Sequence, residues 1–173
     1  MACAIWITGL PASGKTTIAA LLKEYLDMKK TPNIILDGDE IRKTVSKDLG
    51  FSPEERKEHN RRVIEIAKLL VKNQINAIIP LISPYQETRE TARKEIPNFI
   101  EVYTKASLET CMKRDPKGLY KKAQEGKIQN MTGIQSPYEE PKNPEITLDT
   151  EKNTPKECLK IIIQKLQDLK YLK

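Results

Sequence analysis

Gly9-Leu10-Pro11-Ala12-Ser13-Gly14-Lys15-Thr16 matches the phosphate-binding pattern G-x-x-x-x-G-K-[ST]. The apolar run 2–8 before it predicts a strand, and 17–26 after it carries apolar residues at helical spacing. A glycine-rich loop between a strand and a helix turns its backbone N–H groups toward phosphate oxygens, and the helix N-terminus adds a positive dipole. We therefore expect residues 9–16, with Thr17 beside them, to bind the phosphates of a nucleoside triphosphate.

Two side chains of this loop have separate predicted roles. Lys15 would reach the β- and γ-phosphates, and the Thr16 hydroxyl would hold Mg²⁺. A nucleoside triphosphate and Mg²⁺ are therefore the ligands that the loop predicts.

Strand-like and helical segments alternate along the rest of the chain. The predicted strands are 33–36, 77–82, 99–104 and 145–148, and the predicted helices are 39–45, 53–73, 83–96, 107–114 and 154–169. We expect 33–36 and 77–82 to be buried strands. Several strands are apolar throughout, which is typical of a parallel sheet covered on both faces. The order predicts an α/β fold with a parallel sheet of about five strands, and 173 residues fit one domain over 1–173.

Charge is distributed unevenly in a chain whose net charge is +6. Residues 113–133 hold six basic side chains against two acidic ones, whereas acidic residues predominate over 139–151. Because 115–144 is also rich in proline and glycine, we expect it to be the least regular part of the chain, and we interpret roughly 115–135 as a mobile basic lid over a phosphate site. A solvated charged helix is the alternative, and a nucleic-acid-binding stripe fits the pattern less well.

The sequence offers no sign of membrane insertion or secretion. No apolar run approaches the roughly 20 residues that span a bilayer, and the N-terminus does not resemble a signal peptide. Cys3, Cys111 and Cys158 are widely separated, so we expect reduced, buried thiols rather than a disulfide framework or a zinc site. These features predict a cytoplasmic protein with neither membrane nor nucleic-acid partners.

The remaining motifs favour a small-molecule kinase. A D-x-x-G match at 115–118 follows a helix rather than a strand, and no N-K-x-D guanine reader occurs, so a GTPase is disfavoured. Asp37 and Asp39 end the second predicted strand and could position Mg²⁺ or accept a hydroxyl proton. Asp39 could instead cap the next helix. Arginines at 42, 56, 61 and 62 offer donors for an anionic acceptor, although adjacent Arg61 and Arg62 cannot both face one pocket.

Longer runs make a resemblance specific. DGDEIR (37–42), KDLGFSPEERKEHNRRV (47–63), LISPY (81–85), RDPKGLYKKA (114–123), NMTGI (130–134) and PYEEPKNPEITLDT (137–150) resemble, in order, the signature stretches of adenylyl-sulfate kinases. The resemblance implies a three-layer P-loop kinase fold and transfer of the ATP γ-phosphoryl group to the 3′-hydroxyl of adenosine 5′-phosphosulfate. It also implies Mg²⁺ and a homodimer.

The resemblance assigns roles by matching position. Phe51 would stack on the adenine of adenylyl sulfate, and Arg114 would contact the nucleotide. Ser83 matches the serine described as a phosphoserine intermediate in that family, but we favour direct in-line transfer, because positioning and charge stabilisation suffice for this chemistry. The predicted acceptor-binding set is completed by Asp39, Arg42, Arg56, His59, Ile82, Ser83, Lys117, Lys121, Met131, Gly133 and Ile134.

Two positions depart from the family pattern. His59 stands where the family usually has Asn, and Met131 where it usually has Phe on the second face of the adenine. A methionine can still pack against a ring, by roughly 0.3 to 1.5 kcal/mol. His59 is a possible base, but a helix-surface or hydrogen-bonding role is favoured. Another small-molecule kinase of the same fold and a non-catalytic nucleotide-gated binding module remain alternatives, which a turnover assay separates.

Overall fold

A five-stranded parallel sheet forms the centre of the computed structural model, which describes residues 1–172. Its strands are β1 (Ala4–Thr8), β2 (Asn33–Ile35), β3 (Asn76–Pro80), β4 (Phe99–Lys105) and β5 (Ile146–Asp149). They lie in the order β2-β3-β1-β4-β5, and every neighbouring pair is parallel. The predicted parallel α/β fold is confirmed.

Seven helices connect and flank these strands within residues 1–172. They are α1 (Lys15–Met28), α2 (Gly38–Lys43), α3 (Pro53–Lys72), α4 (Gln86–Glu95), α5 (Leu108–Arg114), α6 (Leu119–Gln124) and α7 (Pro155–Asp168). Helices α3 and α7 begin as their sequences predict. Each has a proline in its first turn and a reciprocal capping box, formed by Ser52 with Glu55 and by Thr154 with Glu157.

Side-chain alternation along β1 divides the core into two layers. Ile5 and Ile7 point to the face that packs against α1 and α7, where Leu22 and Ile162 are fully buried. Trp6 points to the opposite face, which packs against α3 and α4. Because successive residues of a strand face opposite sides, a wholly apolar strand such as β1 requires helices on both faces.

The edge of the sheet corrects one sequence-based expectation. β2 pairs only with β3, and Ile34 is 41% exposed, so β2 is an edge strand rather than a buried one. It is also not the neighbour of β1, because β3 lies between them. Pro80 is the last residue of β3 and lies beyond Ile78, where the pairing with β2 ends.

Two helix starts and one additional helix also differ from what the sequence predicts. Asp37, not Asp39, caps α2, because its Oδ1 accepts hydrogen bonds from the N–H groups of Asp39 (2.8 Å) and Glu40 (3.3 Å). The helix expected from residue 83 begins at Gln86, because Ser83 has a left-handed backbone with φ of 43°. The segment 115–135 contains α6, which the sequence reading had treated as irregular.

The three cysteines are buried and unpaired within residues 1–172, as expected for structural thiols. In the same range, none of the helices has both the length and the apolar character required to cross a bilayer.

Candidate functional site

A cleft of about 610 Å³ opens at the carboxyl ends of the strands. Ligands of parallel α/β sheets gather at this edge, because the loops that follow each strand meet there. The cleft brings together most of the side chains that the sequence singled out, namely Pro11, Ala12, Gly14, Lys15, Thr16, Thr17, Asp37, Asp39, Arg42, Phe51, Arg56, His59, Ile82, Ser83, Arg114 and Lys117.

The loop between β1 and α1 forms one wall of the cleft. A Cβ on Gly9 would lie 2.2 Å from Oγ1 of Thr104, so no side chain fits there. Gly14 has a φ of 101°, which favours glycine, and α1 has no side-chain cap. The first N–H groups of a helix have no partner within it, so those of α1 are available to an anion. This geometry fits phosphate binding.

Lys15 is folded back onto the loop that carries it. Its Nζ donates to the carbonyl oxygens of Gly9 (2.9 Å) and Leu10 (2.6 Å). Burial, together with the nearby positive charge of Lys117, lowers the pKa of Lys15 to about 7, although Cys111 and Asp39 oppose the shift. A phosphate beside Nζ would favour the charged form, so anion binding and protonation of Lys15 support each other.

Two carboxylates lie across the cleft from the loop. Asp37 uses Oδ1 to cap α2, and Asp39 accepts a charged hydrogen bond from Lys117 at 2.5 Å. The second contact joins the lid segment to the floor of the cleft. The capping hypothesis for Asp39 is wrong, and its carboxylate is instead a partner of Lys117.

An exposed aromatic ring in the cleft lies beside two arginines. Phe51 is 53% exposed, and the guanidinium groups of Arg42 and Arg56 lie 4.5 and 5.4 Å from its ring centroid. Arg42 is anchored on the carbonyl of Gly50, and Arg56 on the carbonyls of Phe51 and Asn130. A flat ring held beside two fixed positive charges suits a ligand that has both an aromatic ring and an anionic group.

His59 lies inside α3 next to this arginine pair. It is 4% exposed, which excludes the helix-surface interpretation. Burial, together with the positive charges of Arg42 and Arg62, lowers the pKa of His59 to about 4. Its Nδ1 is buried and has no hydrogen-bond partner among residues 1–172. The imidazole is therefore neutral near pH 7.

Several predicted residues lie outside the cleft. Three of them belong to the phosphate loop itself, namely Gly9, Leu10 and Ser13. The hydroxyls of Ser13 and Thr104 are joined by a hydrogen bond of 2.7 Å. Met131 is buried in a small apolar cluster with Tyr120 and Ala123. The others are Lys121, whose N–H donates to Asp115, and Gly133 and Ile134, which line a second, more open depression of about 420 Å³. Arg61 and Arg62 pair with Glu58, and Arg62 also pairs with Asp48.

The sequence reading missed one end of the cleft. Thr150, Asn153, Pro155 and Cys158 line it beside Arg114, whose guanidinium donates to Oγ1 of Thr150 (3.1 Å) and to its carbonyl (2.6 Å). These residues follow β5 directly. The rule that ligands gather past the carboxyl ends of strands, applied to β5, could have identified them.

Comparisons with known proteins agree with this geometry. The family model described as "Adenylylsulphate kinase" matches residues 1–149. A probable adenylyl-sulfate kinase of Pyrococcus abyssi is 52% identical over 168 residues, which cover 97% of each chain. An adenylyl-sulfate kinase of Staphylococcus epidermidis is 49% identical over 170 residues, covering 97% of this chain and 85% of the relative.

A solved structure is similar over nearly the same length. The Mycobacterium tuberculosis APS kinase in complex with AMPPNP and APS superimposes with a TM-score of 0.92 at 40% sequence identity. The match covers 96% of this chain and 98% of the other.

Proposed function

We propose that this chain, which belongs to the adenylylsulphate kinase family, transfers the γ-phosphoryl group of ATP to the 3′-hydroxyl of adenosine 5′-phosphosulfate, giving 3′-phosphoadenosine 5′-phosphosulfate and ADP. One observation supports this function above the others. The same cleft is lined by a phosphate loop and by an exposed phenylalanine whose ring lies beside two arginine guanidinium groups. That arrangement suits a phosphate donor and an acceptor with a base and an anionic tail.

The donor half of the cleft would hold ATP. The N–H groups of the loop and α1 would bind its phosphates, and Lys15 would leave its two carbonyl partners to contact the β- and γ-phosphates. The end of the cleft beside Arg114 and Thr150 lies next to α1 through Ile18 and offers a place for the adenine. Arg114 is well suited to this, because a planar guanidinium can stack on a base.

Mg²⁺ fits the residues that are present. The Thr16 hydroxyl is exposed in the cleft, and Asp37 supplies carboxylate oxygen, which are the hard ligands that Mg²⁺ prefers. Residues 1–172 contain no cluster of three or more side chains that would hold a metal by themselves. Mg²⁺ typically binds through one or two protein ligands together with substrate phosphates, and it would supply neutralisation of phosphate charge.

The acceptor half would hold adenylyl sulfate. Phe51 would stack on its adenine, and Arg42 and Arg56 would neutralise its anionic tail. Asp39 would accept the proton of the attacking 3′-hydroxyl once Lys117 exchanges this carboxylate for phosphate oxygen. The lid residues Lys121, Met131, Gly133 and Ile134 stay predictions, and they would need the segment 115–135 to move toward the cleft.

Direct transfer is the simpler route for the phosphoryl group. The Ser83 hydroxyl accepts a hydrogen bond from the Trp6 indole at 3.0 Å, and among residues 1–172 no carboxylate or imidazole hydrogen-bonds to it. A serine needs an adjacent base to become a good nucleophile. We therefore assign Ser83 to the wall of the acceptor pocket.

A panel of acceptors tests the function. Purified protein with Mg-ATP should phosphorylate adenylyl sulfate with a higher kcat/KM than gluconate, shikimate or a nucleoside monophosphate. A preference for any of the other acceptors would favour a different small-molecule kinase, and nucleotide binding without turnover would favour a non-catalytic module. Lys15→Ala, with the phosphate-loop lysine removed, serves as the inactive control.

The quaternary structure and location follow as further proposals. We infer a single domain over 1–173, a homodimer and a cytoplasmic enzyme with no membrane or nucleic-acid partner. Light scattering on the eluting peak of a size-exclusion column measures the mass, and twice the 19.8 kDa of one chain is the expected value.

A further inference from the structure

The backbone beside Ser83 is held in a strained conformation by a buried arginine that lies outside the cleft. Ser83 has a φ of 43°, which is uncommon for a residue with a side chain, yet it is only 2% exposed. Such strain persists only where the surroundings enforce it, and it is concentrated at functional sites.

Arg89 supplies contacts that hold this backbone. It lies on α4 and is 1% exposed. Its guanidinium donates to the carbonyl oxygen of Ser83 (2.5 Å), the carbonyl oxygen of Glu139 (2.6 Å) and Oε1 of Gln86 (2.7 Å), and its Nε donates to Oε1 of Glu101 (2.9 Å). Four acceptors on three segments of chain, 83–86, β4 and the loop at 139, surround one side chain. Only a planar, forked donor can reach them together.

The charge of Arg89 is balanced inside the protein. Glu101 is 3% exposed, and its second carboxylate oxygen accepts from Arg93 at 3.0 Å. Arg93 also pairs with Glu145, whose carboxylate accepts from the backbone N–H of Glu101. A buried pair of this kind contributes little net stability but is costly to break, so it is better suited to fixing a geometry than to stabilising the fold.

A second set of contacts holds the same segment from the other side. The Trp6 indole N–H donates to the Ser83 hydroxyl, and the Thr8 hydroxyl donates to the carbonyl of Ile82 (2.6 Å). Ile82 and Ser83 both line the cleft. The wall formed by residues 82 and 83 is therefore fixed between β1 and the Arg89–Glu101 pair.

We propose that Arg89, held by Glu101, is a positioning residue that fixes residues 82 and 83 as the wall of the acceptor pocket and so sets acceptor affinity. This inference rests on the proposed function, which assigns that wall to adenylyl sulfate. Arg89 does not line the cleft, so it acts only through Ser83.

The test compares Arg89→Lys with Arg93→Lys. Lysine keeps the buried charge but cannot reach four acceptors at once. Arg93 lies on the same helix and shares Glu101, but among residues 1–172 it makes no hydrogen bond to residues 82–84, so it is a matched control. Arg89→Lys should raise the KM for adenylyl sulfate by about tenfold or more, because bonds from a charged donor are lost, while the KM for ATP stays unchanged. Arg93→Lys should change neither KM.

Fluorescence gives a readout of the wall itself. Trp6 is the single tryptophan of the chain, and its indole donates to Ser83. Displacement of Ser83 should shift the emission of Trp6 in Arg89→Lys and leave it unchanged in Arg93→Lys. A loss of fold stability alone would not shift the emission of the folded protein.

Several outcomes would overturn the proposal. They are an unchanged KM for adenylyl sulfate in folded Arg89→Lys, an equal rise in both KM values, or an equal effect of Arg93→Lys. If Arg89→Lys does not fold, the double variant Arg89→Gln with Glu101→Gln, which leaves no unpaired buried charge, takes its place under the same criteria, and failure of both to fold would assign Arg89 to the fold alone. Wild-type protein that does not turn over adenylyl sulfate would instead refute the proposed function.

Discussion

Replacing Asp39 with asparagine should separate catalysis from folding. The Asp39 carboxylate contacts Lys117 across the cleft, and the two side chains are 64% and 58% exposed. An exposed ion pair contributes less than about 1 kcal/mol to stability. The backbone N–H of Asp39 still donates to Asp37 in the variant, so the cap of α2 is retained. We expect the melting temperature of Asp39→Asn to fall by less than about 4 °C.

The effect on the rate should be much larger. If Asp39 accepts the proton of the acceptor hydroxyl, its loss should lower kcat by about 10²- to 10⁴-fold. Steady-state kinetics with Mg-ATP and adenylyl sulfate measure kcat, and calorimetric titration with ATP checks that nucleotide binding survives. The asparagine is nearly the same size, so the change tests the carboxylate charge and basicity rather than the shape of the pocket.

Glu40→Gln is the matched control for this experiment. Glu40 follows Asp39 on α2, is similarly exposed and pairs with Lys43 at 2.6 Å, but it does not line the cleft. The control removes the same charge from the same helix and should leave kcat unchanged. A kcat of Asp39→Asn within a few-fold of wild type, or an equal fall in Glu40→Gln, would refute the role given to Asp39.

Three further perturbations test other parts of the cleft. Phe51→Leu should raise the KM for adenylyl sulfate by about tenfold, because stacking on a base is lost, and an unchanged KM in steady-state assays would contradict this. For His59, the folded-state pKa of about 4 lies below the ordinary 6.5, so its stabilising contribution is complete above pH 6.5 and is lost as pH falls toward 4. Urea unfolding near pH 4.5 and 7.5 should show wild type losing about 2 to 3 kcal/mol more than His59→Asn, and equal losses would argue against a buried neutral imidazole. Tyr120→Phe removes a buried hydrogen bond of 3.0 Å to the carbonyl of Pro11. Thermal unfolding should show that the free energy of unfolding falls by about 1 to 2 kcal/mol, and steady-state kinetics should show a raised KM for ATP. A variant unchanged in both would show that α6 does not support the phosphate loop.

Local patterns were sufficient to predict most of the fold. The phosphate loop, the capping box at Ser52 and the proline start at Thr154 each depend on residues close together in the chain, and the structure has the corresponding elements. The strand pattern also predicted the parallel sheet. The order of the strands could not be predicted in the same way, because β2 and β3 are both short and apolar. Only the tertiary packing places β3 next to β1 and leaves β2 at the edge of the sheet.

Contacts between distant residues could not be read from the sequence. Arg89 looks like one of several charged residues on a surface helix, and only the fold brings Glu101, Ser83 and Glu139 around it. The segment 115–135 was expected to be irregular from its glycines and prolines, yet Tyr120 is buried against the back of the phosphate loop and α6 forms there. Tertiary packing outweighed the local signal in both places.

The resemblance supplied the acceptor, which residue chemistry alone left open. A phosphate loop and two aspartates occur in many kinases, whereas Phe51 with Arg42 and Arg56 beside its ring favours an acceptor that has both a ring and an anionic group. The family model and the relatives, which are adenylyl-sulfate kinases, agree with an acceptor of this kind.

A single-turnover experiment with γ-labelled ATP tests the central claim most directly. Enzyme in excess over labelled ATP is mixed with Mg²⁺ and adenylyl sulfate, quenched at increasing times, and the products are separated. We predict that the label moves in one phase from ATP to 3′-phosphoadenosine 5′-phosphosulfate, without transient labelling of the protein. Hydrolysis of ATP to labelled phosphate with adenylyl sulfate left intact would contradict the proposed function, and label that passes first through the protein would contradict direct transfer.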